Sequence, residues 1–335
     1  MNMKSAIIGL GMIAPMHIKS IEAIGGEVAV VCDNSGANIE KAGLNCPAFS
    51  DYKKMLASGG FEVLHICLPH YLHAEVAIAA LEAGVHVLCE KPMATTIADA
   101  KKMIAASEKS GAFLGIVFQN RFSPGAMLIK NTLQSGELGA VKSGWLRVTW
   151  HRDEGYYAQS DWRGRWATEG GGVLINQSIH TFDMLNYFLG IPTAVNASIA
   201  NRAHPKIEVE DVSEGVISYG KTNISFFVNT YHPYDAPVKI ELICENGTAE
   251  LTGEDATIIF KDGTKKTVGA DLDAQKKFGM KSYWGVSHIK QIQAFYDSIA
   301  KNEPPTPSGE EGLITQKLIN GIYESAKNHK TEVFL

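Results

Sequence analysis

No stretch of eighteen consecutive apolar residues occurs in the chain, so the sequence carries no conventional membrane-spanning helix. Cysteine is scarce: Cys32, Cys46, Cys67, Cys89 and Cys244 are the only five, with no C-x-x-C pair and no metal-ligand spacing. That excludes a zinc ribbon, and the odd count excludes a fully paired disulfide framework. Cys32, Cys67 and Cys89 fall in short β-rich runs, where a buried reduced thiol is the expected state, in keeping with a reducing cytoplasm. A formal net charge of -5 gives no electrostatic footprint for nucleic acid or for an anionic membrane. Low-complexity linkers and internal repeats are absent. The apolar stretch behind Lys4 contains Gly9, Gly11 and Pro15 and lacks a convincing cleavage site, so it reads as mature structure rather than a leader.

At 335 residues the chain exceeds what one compact core usually supports, and two domains are expected. The first part alternates strand and helix signals. Apolar runs at 5–8, 27–32, 63–68, 85–89 and 113–118 read as strands, with helices at 13–24, 74–83 and 97–110 between them. Continuous apolar runs suit strands covered on both faces, hence a parallel sheet with crossover helices. Near Arg121 the pattern changes to a helix at 123–137 followed by longer, alternating, aromatic-rich strands at 144–150, 194–200, 214–218, 224–231, 238–245 and 248–252. Asn246-Gly247 and Asp262-Gly263 are hairpin turn signals. Helices at 180–189, 288–301 and 312–328 complete the chain. The expected fold is an α/β domain over 1–122, followed over 123–335 by an α+β domain with a mostly antiparallel open-faced sheet.

Ser5–Ala14 reads SAIIGLGMIA, and Gly9-Leu-Gly11-Met12-Ile13-Ala14 fits G-x-G-x-x-A. The first glycine permits the tight turn, the second lets the backbone approach a pyrophosphate, and the alanine allows close helix–strand packing. The diphosphate then meets the positive end of the following helix. Asp33 ends the second strand about twenty residues on, placed to accept hydrogen bonds from ribose hydroxyls and to repel a 2′-phosphate. Asn34 and Ser35 follow it, with no arginine for that phosphate, so NAD is favoured over NADP. Leu68, Pro69, His70 and His73 follow one strand end, and Gln119 and Asn120 another, as further cofactor candidates. His73 equally suits the start of its own helix.

Two segments carry chemistry. In Cys89-Glu90-Lys91-Pro92, at a strand's carboxyl end, Pro92 restricts Lys91 to extended backbone and so helps fix its direction. In the segment GGGVLINQSIHTFD, residues 170–183, a continuous helix places Asn176, His180 and Asp183 on one face. An imidazole between an amide and a carboxylate is a sensible general base, with Asp183 either touching substrate or serving as a structural hydrogen-bond partner. The stretch from Tyr156 to Trp166, including Tyr157, Trp162 and Arg163, mixes aromatic faces with guanidinium donors, as suits a polar ring-shaped ligand.

Together, the GxGxxA turn, the Glu-Lys-Pro and the GG-x-L-x-N-x-x-x-H-x-x-D segment resemble the glucose–fructose oxidoreductase / inositol dehydrogenase / rhizopine catabolism (Gfo/Idh/MocA) family. The resemblance extends over essentially the whole chain, including Arg121-Phe122 and the closing Tyr323-Glu-Ser-Ala326. It implies a Rossmann domain, an open-faced sheet domain that builds homodimers or homotetramers, and hydride transfer between nicotinamide and a sugar or polyol. Carried over, Lys91 bonds the reacting oxygen and His180 is the acid/base; Glu90 and Lys91 are also cofactor candidates, Asn176 and Asp183 are substrate candidates, and Arg121, at the same strand end as Gln119 and Asn120, is placed to reach nicotinamide or substrate. Inositol-type members have aspartate where this chain has Asn176, which an amide cannot replace in taking a proton. Asn176 therefore orients substrate or His180, and a nucleotide-sugar 3-dehydrogenase stands as the alternative. A non-catalytic nucleotide-binding regulator is the reading from a different class, disfavoured because both Lys91 and His180 are present.

Overall fold

The computed structural model describes residues 3–271 and 287–334, which divide into two compact units. The first contains the chain through Gln119 together with residues 287–313; the second runs from Asn120 to 271 and resumes at Ile314. The division thus departs from a single break near residue 122, because the segment beginning at Ser287 returns to the first unit.

In the first unit the elements alternate as expected: β1 (Lys4–Ile8), α1 (Ala14–Ala23), β2 (Glu27–Cys32), α2 (Gly36–Ala42), β3 (Ala48–Phe49), α3 (Tyr52–Ser58), β4 (Val63–Ile66), α4 (His73–Glu82), β5 (His86–Cys89), α5 (Ile97–Ser110) and β6 (Leu114–Ile116). The strands form one parallel sheet in the order β3-β2-β1-β4-β5-β6. Ile7, Val31, Val63 and Leu88 are each at most 2% exposed, which is why these strands read as unbroken apolar runs. β1 lies between β2 and β4, so the connections after β1 and β4 leave the sheet in opposite directions. That reversal is where doubly wound sheets bind ligands. Helix Ser287–Lys301 adds Ile292, Phe295 and Tyr296 to the same hydrophobic core as Ile7, Ile21 and Leu88. This apolar face is what draws it to the first unit. The short α2, β3 and α3 were not legible in the sequence.

The second unit is a nine-stranded sheet with helices. It contains α6 (Pro124–Gln134), β7 (Val141–Thr149), α7 (Glu154–Ala158), α8 (Ile179–Leu189), β8 (Ala194–Ala200), β9 (Val212–Tyr219), β10 (Thr222–Asn229), β11 (Lys239–Cys244), β12 (Gly247–Thr252), β13 (Asp255–Phe260) and β14 (Lys265–Val268). Counting Ser287–Lys301 as α9, the chain closes with α10 (Gly309–Asn328) and β15 (Glu332–Val333). The strand order is β14-β13-β12-β11-β7-β10-β9-β8-β15, antiparallel throughout except for β7 beside β10. Ser123 caps α6 by accepting from the Ala126 amide, with Pro124 in the first turn. The turns at Asn246-Gly247 and Asp262-Gly263 fall at hairpins, as expected. One expectation is overturned: residues 173–183 are not a continuous α-helix. Val173–Gln177 forms a wide π-type turn and α8 begins only at Ile179, so Asn176 and His180 lie on different helical segments.

Candidate active site

In the first unit, the Gly9 amide donates to the Cys32 carbonyl at 2.9 Å, joining the glycine turn to the end of β2. Gly9 has φ +85, and a Cβ there would lie 2.5 Å from the Cys67 carbonyl oxygen, so only glycine permits this turn. Gly11 differs: a Cβ there would meet no atom within 4 Å, leaving an open backbone face of the kind a pyrophosphate requires. Met12 is half-exposed beside it, and Ile13 is partly buried. Asp33, 8% exposed, accepts from the Leu10 amide at 2.7 Å, the Ser35 amide at 2.8 Å and the Asn38 side chain at 3.2 Å. One carboxylate therefore braces the glycine turn from the end of β2. The residues here fit a dinucleotide: an open backbone face, a carboxylate for hydroxyls, and no cation among positions 34–38 for a further phosphate.

Beyond β4, Leu68 and Pro69 are partly exposed while His70 and His73 are buried. The ring nitrogens of His73 lie 2.8 Å from the Leu68 carbonyl oxygen and 2.7 Å from that of Pro92. Burial pushes this imidazole below its ordinary pKa, partly offset by those carbonyls. Glu90, at the end of β5, accepts from the Lys91 amide at 3.2 Å. The Lys91-Pro92 dipeptide is thus held from both ends, by Glu90 and by His73. Gln119 is 4% exposed with its Oε1 buried. Glu90, His70 and His73, expected at the cofactor, are buried, and His73 begins α4.

In the second unit Arg121 and Asp183 meet each other. Nε and Nη2 of Arg121 both donate at 2.7 Å to the two carboxylate oxygens, and Thr315 donates to Asp183 at 3.0 Å. The side chains are 4% and 1% exposed, and the guanidinium stacks 5.2 Å from the Tyr187 ring centroid. For Asp183 the structural hydrogen-bond role is the one seen, and Arg121, expected at substrate, is instead its counter-ion in the interior. Tyr157 is likewise turned inward, against His204 and within 3.3 Å of Thr230, whereas its neighbour Tyr156 stays partly exposed.

Around Tyr156 a polar cluster assembles. Asn176 donates to Glu169 at 2.6 Å and to the Tyr156 hydroxyl at 3.4 Å, and Gln177 donates to that hydroxyl at 3.3 Å. Arg163 stacks 4.5 Å from the Tyr156 ring centroid and 5.2 Å from that of Trp162. His180 stands partly exposed in the first turn of α8, and Asn120 is partly exposed at the head of the unit. Glu210 went unnoticed in the sequence, although it governs this segment. Buried between strands, it accepts from the amides of Gly172 and Leu174, at 2.9–3.0 Å, and from the Tyr323 hydroxyl at 3.0 Å. Burial pushes its carboxyl up to about 7 against those hydrogen bonds. A Cβ at Gly172 would collide with the Glu210 backbone, so the glycine run makes room for this acceptor. Glu169, also missed, holds the Gly164 amide at 2.5 Å as well as Asn176. Tyr283, a further candidate contributor from the sequence, lies outside the described residues. No group of metal-ligating side chains and no helix long and apolar enough to cross a membrane occurs among the described residues.

A glycine turn on a parallel sheet, braced by an acidic residue at the end of the second strand and followed by a fixed lysine, defines a NAD-binding oxidoreductase domain. Residues 3–118 match the oxidoreductase family with NAD-binding Rossmann fold, and residues 127–250 match the GFO/IDH/MocA C-terminal domain. The chain belongs to the Gfo/Idh/MocA family. It is 25% identical to an inositol 2-dehydrogenase of Salmonella typhimurium, over 99% of this chain and 97% of the relative. A crystal structure of the WlbA dehydrogenase from Bordetella pertussis, in complex with NADH and UDP-GlcNAcA, is similar with TM-score 0.88 and 26% identity, over 100% of this chain and 98% of that one. Levoglucosan dehydrogenase in complex with NADH and levoglucosan shares the fold, with TM-score 0.89 and 22% identity over 100% of both chains.

Proposed function

We propose that this NAD-dependent oxidoreductase moves a hydride between the nicotinamide and a carbinol or ketone carbon of an uncharged sugar or polyol. The observation that carries the reading is Lys91, its amide held by Glu90 and the following Pro92 carbonyl held by His73, at the carboxyl edge of the sheet whose glycine turn takes the dinucleotide. Gly9, Gly11, Met12 and Ile13 supply the phosphate turn, and Asp33 receives the ribose hydroxyls, exchanging its Asn38 partner for them. When bound, the nicotinamide supplies the hydride acceptor or donor. Lys91, as a cation, donates to the reacting oxygen and stabilises the alkoxide character that develops on it. His180 takes the hydroxyl proton in oxidation and returns it in reduction. Asn176, fixed by Glu169, orients the substrate ring with Tyr156, Trp162 and Arg163.

The free-sugar reading is preferred over a nucleotide sugar because several cations of the second unit are already matched by acids. Arg152 pairs with Asp235 at 2.9 Å, Arg202 with Glu214 at 3.5 Å, Arg165 with Glu208 at 3.9 Å, and Lys206 with Glu154 at 3.2 Å. A diphosphate has to compete with those carboxylates. The protein works in the cytoplasm as a homo-oligomer assembled through the exposed face of the nine-stranded sheet. Val216, Trp145, Ile243 and Ile259 share that face by strand register, and Val216, Ile243 and Ile259 are 38%, 43% and 39% exposed. The test is a panel of sugars, polyols and UDP-sugars with each coenzyme, followed at the reduced-nicotinamide band. Turnover of a free sugar or polyol with NAD, abolished in Lys91→Ala and His180→Ala without loss of NAD binding, is the expected result. Turnover confined to UDP-sugars refutes the substrate class, and unchanged turnover in Lys91→Ala refutes the mechanism.

A further inference from the structure

A continuous line of buried polar groups runs through the first unit. Ser5 Oγ lies 2.5 Å from the Tyr296 hydroxyl, that hydroxyl 2.9 Å from His65 Nε2, His65 Nδ1 2.8 Å from His17 Nδ1, and His17 Nε2 3.0 Å from Glu90 Oε1. Ser5, His17 and His65 are wholly buried, Tyr296 is 5% exposed and Glu90 7%. Polar groups this deep are costly unless every link is made, and here every link is short.

Counting protons shows what the line fixes. Each of the four links needs one proton. With both imidazoles neutral, Ser5 donates to Tyr296, Tyr296 to His65, His65 to His17, and His17 to Glu90. With His17 protonated, the three outer links reverse, yet His17 still donates to Glu90. Both assignments leave Glu90 an anion receiving the same Nε2–H. The line tolerates a proton more or less at its centre without altering its inner end.

We infer that Glu90, seated by His17, is a positioning residue for Lys91: it grips the Lys91 amide and keeps one fixed negative charge beside the ammonium. The inference rests on the reading of Lys91 given above. Burial pushes the Glu90 carboxyl upward, but the His17 hydrogen bond, helped by the neighbouring imidazoles and Lys91, holds it down at about 2. Facing it are His17 from α1, His65 and Cys67 at β4, His73 from α4, Cys89 from β5 and His288 from α9, whose Nε2 is 3.9 Å from Oε1. Burial keeps both thiols well above their ordinary pKa, and therefore neutral. Of these groups Glu90 is the one that carries negative charge. An anion so placed favours the charged form of Lys91 and holds it protonated to higher pH.

The test uses the full chain without coenzyme or substrate, reading acetylation of Lys91 by acetic anhydride against pH with peptide-resolved mass spectrometry. In Glu90→Gln the Lys91 titration midpoint falls by about one pH unit, so that well below the midpoint it reacts about tenfold faster. In Glu90→Asp the charge remains and the midpoint stays close to that of the wild type, while hydrogen exchange of the Lys91 amide quickens because the shorter side chain no longer reaches it. An unchanged midpoint in Glu90→Gln overturns the inference even in an enzyme that oxidises sugars. A shifted midpoint supports it even where no sugar is turned over, so its fate is separate from that of the dehydrogenase reading. Where Glu90→Gln does not fold, the Lys91 amide in Glu90→Asp decides: faster exchange supports the grip, and unaltered exchange overturns it.

Discussion

Replacing Asp183 with asparagine strands the Arg121 guanidinium in the interior of the second unit without its counter-ion. In the wild type two N–H groups donate at 2.7 Å to a carboxylate that is 1% exposed, from an arginine that is 4% exposed. Breaking one partner of such a buried pair costs about 3–5 kcal/mol, because the surviving charge stays desolvated. For a unit of this size each kcal/mol lowers the melting temperature by about 2–4 °C, so Asp183→Asn is expected to melt on the order of 10 °C below the wild type in scanning calorimetry. Asp183→Leu combined with Arg121→Met buries no charge and recovers most of that loss, giving a large favourable coupling in a double-mutant cycle. The reasoning is refuted if Asp183→Asn melts within about 2 °C of the wild type. A rise in substrate KM without a stability change restores the substrate-facing role that the sequence suggested.

Further expectations follow from the same geometry. Gly9→Ala forces a Cβ against the Cys67 carbonyl at a left-handed φ, so NAD affinity measured by calorimetry drops and stability falls by about 1–3 kcal/mol; retained affinity contradicts the assigned turn. Glu210 is raised to about 7 in the folded state from an ordinary 4.5, so the native state holds a proton that the unfolded chain releases. Its effect is therefore to lower stability as pH climbs from about 4.5 to about 7, levelling above that, by about 3 kcal/mol in all. Glu210→Gln removes this slope in denaturant midpoints collected across that range, and an unaltered slope assigns it to other groups. Tyr296→Phe leaves His65 Nε2 and Ser5 Oγ without their shared partner and costs about 1–3 kcal/mol in urea unfolding; a neutral result means the line is not maintained in solution.

Much of the architecture was legible because its signals are local. The run Glu27–Cys32 and the helix Ile97–Ser110 carry their boundaries in their own residues, the latter through the Thr96 cap and Gly111. The interval between Asp33 and Val63 was not legible, since α2, β3 and α3 are short and present little apolar periodicity. Nor does any local pattern tell β7 that its neighbour β10 runs parallel to it. The π-type turn at Val173–Gln177 hides in an apolar stretch that reads equally well as α-helix. Within the site, Gly9, Asp33 and Lys91 announced themselves by motif and by their places at strand ends. Arg121 and Asp183, 62 positions apart, look like two ligands until the fold makes them a pair. His17 and His65 gave a weaker signal, a histidine inside an otherwise apolar helix face and strand, whose meaning depends on Tyr296, 231 positions further along.

Asp33 bears on how this protein could change its coenzyme. The carboxylate proposed above to face the ribose also anchors the Leu10 amide, so on that reading preference and turn geometry are written in a single side chain. Exchanging it for a small or basic residue to admit NADP removes the anchor along with the repulsion. A switch of coenzyme in this scaffold therefore requires at least two coordinated substitutions, one to welcome the phosphate and one to hold the loop.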